Sequence, residues 1–211
     1  MPRDLNKIYL YHITDVENLR SILQAGCLHS DAALIAAKGG PQVVIGYDHI
    51  KQRRLTQTRV DCCGGRFVGE FVPFYFCPRS PMLYTLNQGN VAGRPAGCQE
   101  SIVHLRTTVA AAIAVGNEWA FSDASAAAGY PDFFDDVRAL DKLDWEAINA
   151  KYWSGRATAK AAEFLVHGSF PLSAFTYVGC HNPEIVTKVS KLVGGNTNPP
   201  TMEVRRDWYY L

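Results

Sequence analysis

The sequence predicts an α+β protein, with strands in the majority and helices at the periphery. Three observations carry that expectation. Runs rich in β-branched and aromatic residues recur along the 211 residues, bounded by Gly, Pro, Asn or Asp, as strands and their turns require. Helical periodicity is confined to short segments between those runs. No strand opens into a glycine-rich turn of the G-x-G-x-x-G or P-loop kind, so the doubly wound nucleotide-binding folds lack their signature here.

Residues 7–13, KIYLYHI, predict the first strand. Thr14 and Glu17 then form a capping box, with Thr14 as N-cap, for a helix that carries Val16, Leu19, Ile22 and Leu23 on one stripe and stops at Gly26. Residues 43–45 read as a short strand, and 47–55 as a helix capped by Asp48 with Arg54 near its end. A dense apolar strand at 71–76 breaks into Cys77-Pro78-Arg79-Ser80-Pro81, and a short helix follows at 81–86. The two prolines make that corner stiff. Strands are expected at 101–106 and 117–123, then a helix at 144–153 capped by Asp144 that buries Trp145, Ile148 and Tyr152. Residues 162–170 and 175–179 read as strands, 183–193 as a helix, 194–200 as mobile and 202–210 as a closing strand.

A composition of 47% hydrophobic and 19% charged residues excludes disorder, and residues 1–211 suffice for one domain with its own core. The first seven residues contain no apolar leader core, and no apolar run approaches the ~20 residues of a membrane span. A cytoplasmic protein without membrane contact is the expectation. The six cysteines, Cys27, Cys62, Cys63, Cys77, Cys98 and Cys180, include no C-x-x-C pair, so free thiols and no metal site are expected. Net charge is only +1, yet Lys51, Arg53, Arg54, Arg59 and Arg66 face Asp61 alone within residues 51–66, five minus one or +4. Such a patch either holds phosphates or is a solvated basic loop.

Single residues leave the chemistry open. Glu163 heads the apolar run Phe164-Leu165-Val166, and a carboxylate there is either paired or functional, because desolvating it alone is costly. His12 stands where a strand hands over to a helix, a place for a rim residue or a ligand contact. Arg54 and Arg79 suit salt bridges as well as ligand binding, and Tyr75 suits the core.

Their order is more informative. A histidine closing the first strand, an aromatic middle strand and a glutamate heading a late strand resemble the arrangement of ADP-ribosyltransferase folds. The stretches IYLYHITDVENLRSIL, HIKQRR, VPFYFCPRSPMLY, DWEAI, AEFLV and RRDWYY, in one order from end to end, resemble DarT, the DNA ADP-ribosyltransferase toxin family of DarT–DarG toxin–antitoxin systems. The resemblance implies two facing β-sheets with peripheral helices, NAD as co-substrate without metal, and transfer of ADP-ribose to a base of single-stranded DNA. It also implies a macrodomain antitoxin partner. Carried over position by position, Glu163 and Arg54 are the catalytic candidates, and His12, Thr14, Asn18, Leu19, Tyr75 and Arg54 the cofactor-binding ones. Lys51, Arg53, Arg59, Arg79 and Tyr84 are the candidate DNA contacts. Residues 158–161 and 57–69 depart from the family pattern, which leaves the modified base and its context open. An RNA or protein acceptor, or a DNA-binding module without turnover, are the competing functions, and a Glu163 that merely pairs with Arg54 or Arg79 is the purely structural alternative.

Overall fold

The computed structural model describes residues 3–194 and 199–210, so the expected mobile stretch lies largely outside the described residues. β1 (Tyr9–Asp15) runs into a 3-10 turn (Val16–Asn18) and α1 (Leu19–Ala25). Asp15, not Thr14, caps the turn, its carboxylate accepting the Glu17 amide at 3.1 Å. Thr14 stays in the strand, paired with Val103. Gly26 ends α1 with φ 70°, a conformation glycine enters freely. Then come β2 (Cys27–His29), α2 (Asp31–Ala36) and α3 (Asp48–Thr56). Residues 43–45 form no strand, because the Asn18 side chain takes both the amide and the carbonyl of Val43 at 2.8 Å. Asp48 lies in the first turn of α3, with Tyr47 at the cap position.

β3 (Arg59–Val60) and β4 (Arg66–Phe67) make a small hairpin before β5 (Phe71–Tyr75). α4 (Pro81–Asn87) is capped by Ser80, whose hydroxyl accepts the Leu83 amide at 3.2 Å. Next are β6 (Ile102–Thr108), α5 (Val109–Ala114), β7 (Trp119–Ser122), β8 (Phe133–Phe134), α6 (Trp145–Asn149) and α7 (Ala157–Lys160). α6 is shorter than expected. The buried Lys160 ammonium donates to the carbonyls of Ile148 and Ala150 at 2.8 and 2.9 Å and ends it. Tyr152 therefore falls beyond the helix and is 87% exposed, not part of a buried stripe. Gly168, at φ 74°, divides the expected 162–170 strand into β9 (Glu163–His167) and β10 (Ser169–Pro171). β11 (Tyr177–Cys180), α8 (Pro183–Val193) and β12 (Thr201–Val204) follow, and a 3-10 turn (Arg206–Trp208) replaces the rest of the expected closing strand.

The main sheet has the order β12-β11-β6-β1-β5-β9-β7-β8. Two separate facing sheets are not what forms. Two four-stranded halves join in one sheet at a single paired position, Tyr11 with Tyr75, whereas β1 and β6 pair at seven. Pro73 accounts for the loose seam. In an extended strand a residue's amide and carbonyl point toward the same neighbour. The Pro73 carbonyl meets the His12 ring Nδ1 from β1 at 2.9 Å, so the amide hydrogen that proline lacks is missing on the β1 side. On its other side β5 pairs with β9 along its whole length.

Alternation sorts the core. Leu10, Val72, Phe74, Phe164 and Val178 face one side, with Phe74 and Phe170 ring centres 4.9 Å apart. Tyr11, Ile13, Leu83, Leu86 and Trp208 face the other. On that second side the stiff corner is braced twice. His104 donates from Nε2 to the Pro78 carbonyl at 2.9 Å, and the Tyr210 hydroxyl donates to the Arg79 carbonyl at 2.8 Å.

Trp208 lies against Gly179 so closely that a Cβ there would sit 2.3 Å from its ring. Gly179→Ala is expected to cost about 2 kcal/mol by displacing the indole, measurable by urea denaturation. Burial, partly opposed by the Pro78 hydrogen bond, lowers the His104 pKa to about 4. The unfolded chain then takes up this proton first as pH falls below about 6.5, so stability should drop between about pH 6.5 and 4 by up to about 3 kcal/mol. His104→Gln should flatten that slope in pH-dependent unfolding.

Candidate active site

Where the sheet halves part, a cavity of about 400 Å³ opens, within the size range of small-molecule sites. β1 supplies His12 and Thr14 to its wall, β5 supplies Pro73 and Tyr75, and α3 supplies Lys51 and Arg54. The loop from Gly39 to Tyr47 forms the opposite side, held by the Asn18–Val43 hydrogen bonds.

Glu163 lies at the start of β9, paired across the ladder with Tyr75, and is 2% exposed. Its carboxylate is held from two directions. Arg54 Nη1 donates to Oε2 at 2.8 Å and to Oε1 at 3.1 Å, and the Ala126 amide donates to Oε1 at 2.9 Å. Ser122 knits this frame together: its hydroxyl accepts the Glu163 amide at 3.2 Å and donates to the Ala124 carbonyl at 2.6 Å. Burial would depress the Arg54 pKa, but the Glu163 carboxylate more than offsets it and the net shift is upward. Burial, reinforced by Glu163, pushes the Tyr75 phenol well above its ordinary value. Tyr75 is therefore a neutral ring in the wall.

One donor in this frame has no mate. Arg54 Nη2 is buried without a hydrogen-bond partner among the described residues. A buried guanidinium nitrogen left this way is costly, and a ligand oxygen would satisfy it. His12 is poised similarly. Donation to Pro73 places its proton on Nδ1 and leaves Nε2 as an acceptor in the cavity wall. Burial holds the ring neutral by lowering its pKa. The arrangement offers an anchored carboxylate to developing positive charge, and an unmated cationic donor to an oxygen.

The remaining expected residues are distributed unevenly. Thr14 and Asn18 line the cavity, yet Asn18 spends its amide on Val43 and on the Thr14 hydroxyl at 3.1 Å, so it shapes the wall. Leu19 is not in this wall. It is buried in the core and borders a second, apolar cavity between α1, β11 and α8. Lys51 is tied to Asp31 at 3.0 Å. Arg53 is half-buried on α3 outside the cavity wall. Arg59 serves its own hairpin, donating to the Gly65 carbonyl at 2.7 Å with its guanidinium 4.0 Å from the Phe67 ring. Arg79 stacks over Tyr210 at 4.6 Å, and Tyr84 packs edge-on against Trp153 and Tyr210. Sequence reasoning missed Ser122 and the Ala126 amide. The run SDASAAAG around them carries no charge or periodicity beyond one aspartate, and a backbone donor leaves no side-chain signal. Among the described residues no three metal-ligating side chains converge.

Comparison with known proteins gives one answer. The family model described as ssDNA thymidine ADP-ribosyltransferase, DarT, matches residues 11–210. A DNA ADP-ribosyl transferase of Thermus sp. (strain 2.9) is 36% identical over 208 residues, 95% of each chain. One of Mycobacterium tuberculosis (strain H37Rv) is 32% identical over 88% of this chain and 83% of its own. The structure of Thermus sp. 2.9 DarT in complex with ADP-ribosylated ssDNA superposes with a TM-score of 0.90 at 33% identity, covering 100% of both chains. The complex of Thermus sp. 2.9 DarT with NAD+ gives 0.85 at 31% identity, over 96% of this chain and 98% of that one.

The ion pair sets a testable stability pattern. Arg54→Met or Glu163→Leu alone strands a buried charge and should each cost about 3 kcal/mol or more, whereas the double variant should recover part of the loss. Urea denaturation of the four proteins measures that coupling.

Proposed function

We propose, from the premise that the chain belongs to the DarT family of single-stranded-DNA thymidine ADP-ribosyltransferases, that Glu163 and Arg54 carry out the transfer in the cavity between the sheet halves. The protein is an NAD-dependent DNA ADP-ribosyltransferase: it moves ADP-ribose from NAD to a nucleobase of single-stranded DNA and releases nicotinamide. The acceptor base in this reading is thymine, as the family's description states.

Breaking a ribose–nicotinamide bond builds oxocarbenium-like positive charge on the sugar, as in glycoside hydrolysis. Glu163 answers that charge with a carboxylate that Arg54 and the Ala126 amide have already oriented, so little reorganisation is needed when the bond breaks. The unmated Arg54 Nη2 gives its hydrogen bond to an oxygen of the bound substrates, a thymine carbonyl or the pyrophosphate. Glu163 also accepts the proton that the base loses when its nitrogen attacks. His12 Nε2 accepts from a ribose hydroxyl, and the buried face of Tyr75 packs against the nicotinamide. The single observation that carries the assignment is that Arg54, which lines the cavity, keeps an unmated donor while its other terminal nitrogen holds the Glu163 carboxylate at 2.8 Å.

On the same reading residues 1–211 act as a single catalytic domain in the cytoplasm. A DarG-like macrodomain antitoxin is its partner. The chain has no helix among the described residues long and apolar enough to cross a membrane.

Glu163→Gln should lower DNA modification at least about a hundredfold, with an unchanged far-UV circular dichroism spectrum. The assay is intact-mass analysis of an oligonucleotide panel incubated with NAD, in which only thymidine-containing single strands should gain one ADP-ribose. Equal modification by Glu163→Gln, or product on RNA or protein instead, would overturn the assignment.

A further inference from the structure

Three aromatic groups outside the catalytic cavity have no role in the chemistry above. Tyr152, expected in a buried helix stripe, is 87% exposed, and Tyr84 is 39% exposed. Trp153 stands edge-on to Tyr84 with ring centres 5.3 Å apart, and Tyr84 stands likewise to Tyr210 at 5.1 Å. Cations accompany the rings. The Arg79 guanidinium lies 4.6 Å from the Tyr210 ring, and the Lys151 ammonium lies 6.0 Å from that of Tyr152. Neither Arg79 nor Lys151 has an acidic partner among the described residues, and Arg79 Nε is buried without any acceptor.

This group adjoins the reaction site. Met82, on the helix that carries Tyr84, lines the catalytic cavity, and Met82, Tyr75 and Trp153 pack against one apolar cluster. The segment bearing Tyr152 and Trp153 is also tethered at both ends near Glu163. Lys160 holds the Ala150 carbonyl on one side, and α7 leads directly into β9 on the other.

We infer that Tyr84, Tyr152 and Trp153, with Arg79 and Lys151, form a stacking platform for a nucleotide that flanks the acceptor thymidine. This rests on the transfer reading proposed above. Exposed rings interleaved with unpaired cations match single-stranded nucleic acid, whose bases stack on aromatic faces while its phosphates take the positive charges. Edge-on packing of Trp153 on Tyr84 and of Tyr84 on Tyr210 fixes their rings before DNA arrives, which limits the ordering that binding must bring about. The platform acts on affinity and on the choice of neighbouring base, not on bond cleavage.

Steady-state kinetics with a thymidine-containing oligonucleotide test this. Tyr152→Ala and Trp153→Ala should each raise the KM for the oligonucleotide about tenfold while leaving the KM for NAD near the parent value. The exposed Tyr152→Ala should also leave the melting temperature near the parent, whereas Trp153→Ala, which removes packing on Tyr84, should lower it. Tyr152→Phe, which keeps the ring, should restore the parent KM. Oligonucleotide should quench the tryptophan fluorescence of the parent, and Trp153→Phe should lose that quenching. An oligonucleotide KM within twofold of the parent in both alanine variants would overturn the platform and leave the exposed rings to a protein partner. A parent protein that modifies no DNA at all would overturn the transfer reading and the platform with it.

Discussion

One missing hydrogen organises this molecule. Proline in the middle of an eight-stranded sheet removes a ladder donor, and the loss falls on the side where β5 meets β1. The sheet therefore holds together at Tyr11 and Tyr75 and parts beside them. The carbonyl that the ladder leaves over is taken by the His12 ring, so a backbone deficit becomes a fixed tautomer in the cavity wall. The cavity and the fixed tautomer of His12 both lie at that seam.

Glu163 and Arg54 complete the opposite arrangement, one of surplus rather than deficit. Two opposite charges are brought out of water together, and alone they would be a poor investment in stability. The fold nevertheless supplies a backbone amide from Ala126 and a rigid strand mount through Ser122. What remains unsatisfied is Arg54 Nη2, a buried donor without a partner among the described residues.

The elements with strong local signals were legible in the sequence. α8 with its Asn182 cap has the bounds that its Asn-Pro start and apolar stripe imply, and β5 and α4 follow from the apolar run and Ser80-Pro81. A carboxylate heading an apolar strand needs a partner, and of the two cations the sequence offered for Glu163, Arg54 and Arg79, the fold selects Arg54. Errors arose where a side chain from afar replaced a local partner. Asn18 satisfies Val43 in place of a strand neighbour, and Lys160 ends α6 before Tyr152. Leu19, carried over with Asn18 from the family resemblance, was misplaced because one residue along the chain turns the side chain by about 100°, here into the core. The split sheet was invisible for a related reason, since Pro73 reads only as a residue and its effect depends on which neighbour lies on its amide side.

The braces on the Pro78–Pro81 corner come from two distant parts of the chain, His104 in the middle and Tyr210 near residue 211. Tyr210 holds the Arg79 carbonyl, and Gln99 takes both the amide and the carbonyl of Tyr210. The corner is therefore complete only when segments far apart in sequence, around residues 78–81, 99–104 and 210, have come together.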